Sequence, residues 1–231
     1  MKVKFATLVF GTILFAAAPA FASGVSISFN SPSGKLGTSQ SYIGGGLTVT
    51  AYGYVCHALS ATSTSLTKCA AHDLDGKNGG SGETGLGLFG EDDNEIGWND
   101  KKHDYVMGLD ISSLFKAGGT SMTLDFGSVQ KGENASVYGY SSNPFGTSVD
   151  LSNEILSLVG TSNSMANYNG TFSLNANDQF LVITSQSGDV LLGTLDSQTD
   201  PTPEPGTLAL FGTGLLAFGF GLRRRFASHT A

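Results

Sequence analysis

The stretch LTVTAYGYV (residues 47–55) is rich in β-branched and aromatic residues, which favour β-strands. VSISF (25–29) alternates apolar and polar residues, and SMTLDFG (121–127) places its apolar residues on one face. Similar segments are ASVYGY, TFSL, QFLVITS and DVLLGTL. Clusters of Gly, Asn, Ser and Asp separate them. Many short strands broken by turn residues predict an all-β fold, and we expect one jelly-roll-like β-sandwich over residues 23–196.

Two segments depart from the strand pattern. DISSLFKAGG (110–119) predicts one short helix, capped by Asp110 or Ser112 and ended by Gly118. VDLSNEILSLVG (149–160) is compatible with either a helix or a strand.

Composition limits the classes of function. The chain has 231 residues, of which 32 are glycine and only 13% are charged, whereas 40% are hydrophobic, enough to build a core. Residues 23–202 contain seven lysines, 18 acidic residues and no arginine, which gives a net charge of −11. Such a domain is a poor candidate for nucleic-acid binding, because phosphate neutralisation requires Lys and Arg. We expect no nucleic-acid partner.

The N-terminus has the features of a secretory signal peptide. Lys2 and Lys4 precede an apolar run over residues 5–18, and small residues follow it. The residues that define the predicted cleavage site are Ala20, Ala22 and Ser23. Signal peptidase is therefore expected to remove residues 1–22 and to leave a mature protein outside the cytoplasm.

The two cysteines fit an exported protein. Cys56 and Cys69 are 13 positions apart, and a single pair in an oxidising compartment favours a disulfide. The loop it closes corresponds to a stabilisation of ~3 kcal/mol in the chain-entropy treatment. A zinc site that adds His57 and His72 is the alternative, although the spacing lacks the usual C-x₂₋₄-C unit.

Acidic residues concentrate in HDLDGKNGG (72–80) and EDDNEIGWNDKKHD (91–104). Carboxylates on loops of an exported domain suit Ca²⁺, although neither stretch has the EF-hand spacing. The candidate calcium ligands are Asp73, Asp75, Asp92, Asp93 and Glu95. A solvated acidic loop without a metal is the alternative. No other cofactor is expected.

The sequence offers little for catalysis. GLGLFG (85–90) matches G-x-G-x-x-G, but the acidic residues after it would repel a pyrophosphate, so we predict a strand with turn glycines. Neither a G-x-S-x-G nor an H-E-x-x-H motif occurs. Trp98, the only tryptophan, is a candidate for stacking on a sugar ring or for ordinary packing. We expect no enzymatic activity and no catalytic residue.

The C-terminal part changes character. SQTDPTPEP (197–205) has the proline content of an extended linker, and residues 206–222 form an uncharged run of 17 residues. As a helix this run would span roughly 25 Å, at the short limit for crossing a bilayer. A basic tail (223–231) follows, which predicts a transmembrane helix with its C-terminal end in the cytoplasm.

The order of these elements resembles the PEP-CTERM sorting signal. The residues that carry the resemblance are Pro203, Glu204, Pro205, Arg223, Arg224 and Arg225. The body stretch that ends in Glu95-Ile96 is also similar to a pattern common in the middle of PEP-CTERM proteins. The resemblance implies that exosortase, a membrane cysteine transpeptidase of Gram-negative bacteria, cleaves near the Pro-Glu-Pro. The domain would be anchored transiently in the inner membrane, facing the periplasm, and then pass to the cell surface or an exopolysaccharide matrix.

Three functions from different classes remain. The first is a non-enzymatic surface or matrix protein that acts in adhesion or biofilm structure and contacts exopolysaccharide. The second is a calcium-assisted carbohydrate-binding module, and the third is a secreted hydrolase. The sorting signal and the absence of catalytic motifs favour the first.

Overall fold

The computed structural model describes residues 24–57, 64–80, 82–90, 93–99, 103–146, 148–199 and 213–214. The sixteen strands and the helix Ser112–Lys116 lie within the unit Ala22–Asp200, and residues 213–214 are also helical. Within the described ranges, no helix has the length and the hydropathy needed to span a bilayer. The predicted signal peptide and transmembrane helix lie outside these residues.

The described residues between 24 and 199 form sixteen strands and one short helix, which confirms the all-β prediction. The first eight strands are β1 (Val25–Ser28), β2 (Gly34–Gly37), β3 (Ser39–Gly44), β4 (Leu47–His57), β5 (Ser65–His72), β6 (Leu74–Asn78), β7 (Thr84–Leu88) and β8 (Ile96–Asn99). The rest are β9 (His103–Asp110), α1 (Ser112–Lys116), β10 (Gly119–Val129), β11 (Asn134–Tyr140), β12 (Ser148–Asp150), β13 (Glu154–Val159), β14 (Ala166–Ser173), β15 (Phe180–Thr184) and β16 (Asp189–Thr199).

The strands pair antiparallel in two sheets. In sheet 1, β14 pairs with β10 and β10 with β16. The strands β1 and β7 also pair with β16, and the sheet continues from β7 through β6 to β2. In sheet 2, β13, β11, β15, β9 and β4 follow one another, β3 and β5 pair with β4, and β12 pairs with β5. The strand β8 also pairs with β9, and it joins the start of β16. The strand β16 therefore connects the two sheets.

The main core lies between the two sheets, as in a β-sandwich. Alternation along β4 directs Val49 and Ala51 into this core, where both are buried. Other core side chains are Leu86, Phe126 and Leu195 from sheet 1 and Met107, Leu109 and Ile183 from sheet 2. Apolar residues from both sheets thus form one cluster.

A second core covers the outer face of sheet 2. It contains Cys56, Leu66, Val106 and Val182, which are all buried. Partly exposed aromatic residues pack against it. Sheet 2 is therefore apolar on both faces, which explains why its central strands are richer in apolar residues than a simple alternation requires.

Three segments whose local structure was predicted from sequence are compared with the strands and the helix. Residues 84–88 are strand β7, so GLGLFG is not a dinucleotide-binding loop, as predicted. The helix α1 begins at Ser112, and its N-cap residue is Ile111 without a side-chain cap, so the predicted capping by Asp110 or Ser112 is wrong. The Ser112 backbone N–H donates to Asp110 Oδ1 at 3.0 Å, and Gly118 follows the helix at φ +84°. The ambiguous segment forms strands β12 and β13.

The last strand continues beyond the predicted domain boundary. β16 ends at Thr199, three residues inside the segment predicted as a linker. Ser197 pairs with both Val25 and Met122, and it is buried. The sheet extends this far because strands on both sides of β16 supply backbone partners.

Candidate functional site

The outer aromatic cluster consists of Tyr52, Tyr54, Phe145 and Phe180 on the outer face of sheet 2. Tyr52 and Tyr54 point outward because β4 directs alternate residues into the main core. Phe180 comes from β15 and is buried, whereas the other three side chains are partly exposed. The cluster therefore presents aromatic surface to solvent on a rigid sheet.

Short contacts hold the cluster together. The rings of Tyr54 and Phe145 stack with centroids 3.7 Å apart, and the Phe145 and Phe180 centroids are 6.2 Å apart. Gly108 leaves room for this arrangement, because a Cβ there would lie 2.6 Å from the Phe180 ring. Asn143 supports Phe145 from the loop: its Oδ1 accepts from the Phe145 N–H at 2.9 Å, and its Nδ2 donates to the Tyr54 hydroxyl at 3.0 Å.

A buried carboxyl group lies on the same face of the sheet. Asp104, on β9, is opposite Cys56 on one side and Trp98 on the other, and only 4% of it is exposed. Burial raises its pKa to about 7, although the Thr184 hydroxyl, which donates to Asp104 Oδ1 at 2.7 Å, favours the ionised form. Asp104 therefore titrates near neutral pH.

Trp98 packs against this second core with part of its surface exposed. This position is compatible with packing and with sugar stacking, so sugar stacking stays a prediction.

Two of the predicted calcium ligands are engaged with lysines instead. Asp73 Oδ2 lies 2.6 Å from Lys35 Nζ, and Glu95 Oε1 lies 2.5 Å from Lys77 Nζ. The Glu95 carboxylate also accepts from the Ser128 hydroxyl at 3.0 Å, and the side chain is buried. Burial raises the pKa of Glu95 against the opposing effect of Lys77.

Of the other calcium candidates, Asp75 is buried on β6, Asp93 is exposed, and Asp92 lies outside the described residues. Burial raises the pKa of Asp75, while the nearby Lys77 opposes the shift. In the part of the chain that is described, no three or more His, Cys, Asp or Glu residues form a group able to hold a metal ion. Calcium binding therefore stays a prediction.

The predicted disulfide is present between Cys56 and Cys69. It connects β4 to β5, and it uses both thiols that the alternative zinc site required. His72, another member of that site, has its Nε2 2.6 Å from the carbonyl oxygen of Phe89. The zinc alternative is therefore wrong.

The structure brings together groups that sequence reasoning did not combine. Phe145 reaches Tyr54 across 91 positions of sequence, and His57 lies beside His103. The only sequence signal for the outer aromatic cluster was the content of β-branched and aromatic residues in residues 47–55. The predicted sorting residues and signal-peptidase site lie outside the described residues.

The comparisons with known proteins identify the C-terminal signal. Residues 201–225 match the family model of the PEP-CTERM protein-sorting motif. The chain therefore carries this motif, which implies an exported protein of Gram-negative bacteria that exosortase processes. No curated protein matches the chain.

Two solved structures show remote similarity to the fold. One is the carbohydrate-binding module CBM6cm-2 of Cellvibrio mixtus lichenase 5A in complex with cellotriose, at 10% identity and a TM-score of 0.26, covering 76% of this chain and 96% of that one. The other is the isomalto-dextranase of Arthrobacter globiformis T6 complexed with panose, at 10% identity and a TM-score of 0.33, covering 77% of this chain and 32% of that one. Similarity at this level gives no basis for transferring a ligand or an activity.

Proposed function

We propose that this chain, which carries the PEP-CTERM motif, is a non-enzymatic surface or extracellular-matrix protein that acts in adhesion or biofilm structure. The observation that carries the proposal is the match of residues 201–225 to the sorting motif. Signal peptidase cleaves after Ala22, and residues 206–222 then hold the domain at the outer side of the inner membrane. Exosortase removes this anchor near Pro203–Pro205, and the β-sandwich reaches the cell surface or the exopolysaccharide matrix.

The disulfide and the net charge of the domain support an extracellular location. The disulfide between Cys56 and Cys69 fits an oxidising compartment. The net charge of −11 over residues 23–202 favours solubility and association with divalent cations. These properties suit a durable component of a hydrated matrix.

Mass spectrometry of the protein from its host tests the sorting step. In the wild-type strain we expect a C-terminus near Pro203–Pro205, and in a strain without exosortase a chain that ends at Ala231 and stays in the membrane fraction. Glu204→Ala should block processing, whereas the neighbouring Thr202→Ala should not. A wild-type chain that still ends at Ala231 would refute exosortase processing.

Carbohydrate binding is the second candidate, and the outer aromatic cluster is the observation that favours it. Partly exposed aromatic rings stack on the apolar faces of sugars, and the nearby Asn143 and tyrosine hydroxyls offer hydrogen bonds. Calcium assistance from the acidic loops is part of this candidate function.

Retention of the purified protein on host exopolysaccharide tests this candidate. Tyr54→Ala, Phe145→Ala and Trp98→Ala should each weaken retention, and a chelator should do so if calcium assists. Phe89→Ala is the matched control, because this phenylalanine is 41% exposed but lies outside the cluster. Equal retention of all variants would rule out the cluster as the binding surface. Turnover of a substrate in a glycan panel would instead support a secreted hydrolase.

A further inference from the structure

The imidazole rings of His57 and His103 lie side by side at one end of sheet 2. His57 is the last residue of β4 and His103 the first of β9, and the antiparallel register places them directly opposite each other. Their ring centroids are 4.8 Å apart, with the ring planes at 81°. His57 is exposed and His103 partly exposed, so ions in solution can reach the pair.

We propose that His57 and His103 form a binding site for a divalent transition-metal ion of the zinc, copper or nickel class. Imidazole nitrogen is a preferred ligand for these ions, whereas Ca²⁺ takes oxygen ligands. Two imidazoles supply two ligands, and water completes the coordination. The site shares His57 with the thiol-based zinc alternative but uses no thiol, and it includes none of the candidate calcium ligands.

The ring separation fits two ligands on one metal ion. Metal–nitrogen bonds to histidine are about 2 Å long, which puts the metal roughly 3.2 Å from each ring centroid. For nitrogen–metal–nitrogen angles of about 90° to 110°, the centroids are then roughly 4.5 to 5.2 Å apart. The observed 4.8 Å lies within this range. The separation of the two rings is therefore compatible with coordination of one metal ion by both.

The backbone that carries His57 is held in place. The preceding residue, Cys56, is bonded to Cys69, and the Thr67 hydroxyl donates to the His57 carbonyl oxygen at 3.3 Å. β4 also pairs with β9 over residues 50–57. Because the backbone is held, only side-chain freedom is lost when a metal binds, and the acidic domain attracts cations.

Zinc titration by calorimetry, with the melting temperature as a second readout, tests the proposal. The proteins are purified without a polyhistidine tag. All of them carry His229→Asn, which removes the only histidine of the C-terminal tail as a competing ligand. We expect saturable binding of one zinc ion and a rise in melting temperature. His57→Asn and His103→Asn should each weaken binding roughly tenfold or more. His72→Asn is the matched control and should bind like the parent.

Parent-like affinity in either His57→Asn or His103→Asn would overturn the proposal, as would an equal loss in His72→Asn or no saturable binding. Circular dichroism without metal establishes that each variant is folded. If one variant fails to fold, the other still decides the calorimetric test. Paramagnetic resonance of the parent with Cu²⁺ counts nitrogen ligands independently: two support the site, and fewer than two contradict it.

Discussion

At the scale of single residues, the carboxyl group of Asp104 couples stability to pH. Its pKa rises to about 7 in the folded protein because burial disfavours the charged form, whereas an unfolded aspartate titrates near 3.8. Between these values the folded state holds a proton that the unfolded state has released. This contribution to stability is therefore complete below about pH 4 and is lost as the pH rises through about 7.

We expect Asp104→Asn to make stability less dependent on pH. The shift of about 3 pKa units corresponds to at most about 4 kcal/mol, so the variant should gain most relative to the parent above pH 7. Urea unfolding at pH 5 and pH 8.5 measures the difference. Asp150→Asn, on the exposed end of β12, is the control. A parent and variant with parallel pH profiles would contradict the assignment.

Also at this scale, Lys77 balances the charge of the buried Glu95. Lys77→Met leaves a buried carboxylate without its partner, which typically costs about 3–5 kcal/mol. Without Lys77 the pKa of Glu95 rises further, so the loss should be smaller at pH 5 than at pH 8. Denaturant unfolding at the two pH values checks both the size and the sign.

Lys35→Met breaks an exposed ion pair and is compared with Lys77→Met, which breaks a largely buried one. The Lys35 side chain is 54% exposed in its pair with Asp73, whereas the Lys77 side chain is 19% exposed. An exposed ion pair contributes at most about 1 kcal/mol. Similar losses in the two lysine variants would show that burial does not distinguish these pairs.

At the scale of elements, residues 94–95, just before β8, pack against β7. A Cβ at Gly87 would overlap the carbonyl oxygen of Asn94, and Asn94 adopts a left-handed conformation at φ +57°. The Asn94 side chain also bonds to the residues that follow β7, since its Oδ1 accepts from the Gly90 N–H at 2.8 Å. This packing places Glu95 beside Lys77.

Gly87→Ala should therefore destabilise the protein by about 1–3 kcal/mol, as other overpacked sites do. Thermal unfolding measures the loss. Gly146→Ala is the control because a Cβ there meets nothing within 4 Å, and its effect should stay within about 0.5 kcal/mol. Unchanged stability of Gly87→Ala would mean that residues 94–95 do not pack on β7 as described.

At the scale of the whole molecule, the described hydrophobic core is contained within the β-sandwich. Its buried members run from Val25 to Leu195. A chain that ends at Asp200 should therefore unfold cooperatively at the melting temperature of the complete chain. Calorimetry of the two proteins in the same detergent buffer compares them. A lower melting temperature of the shortened chain would show that the C-terminal segment adds to the stability of the domain.

Local sequence was sufficient for features with local causes. The period of two in segments such as residues 25–29 reflects the alternation of side chains along a strand, so strands could be assigned without tertiary information. The disulfide followed because only two cysteines exist in a chain with export signals. The sorting motif could be read directly because it is a linear signal.

Only the tertiary structure decided which distant residues meet. The proximity of His57 to His103, of Lys77 to Glu95 and of Tyr54 to Phe145 depends on strand order and register, which apolar periodicity does not specify. The pKa of Asp104 likewise depends on the side chains that bury it. The sequence by itself thus determined the strands, the disulfide and the PEP-CTERM motif. The folded sheets determined the candidate sites, because a site requires side chains from several strands to lie on one face.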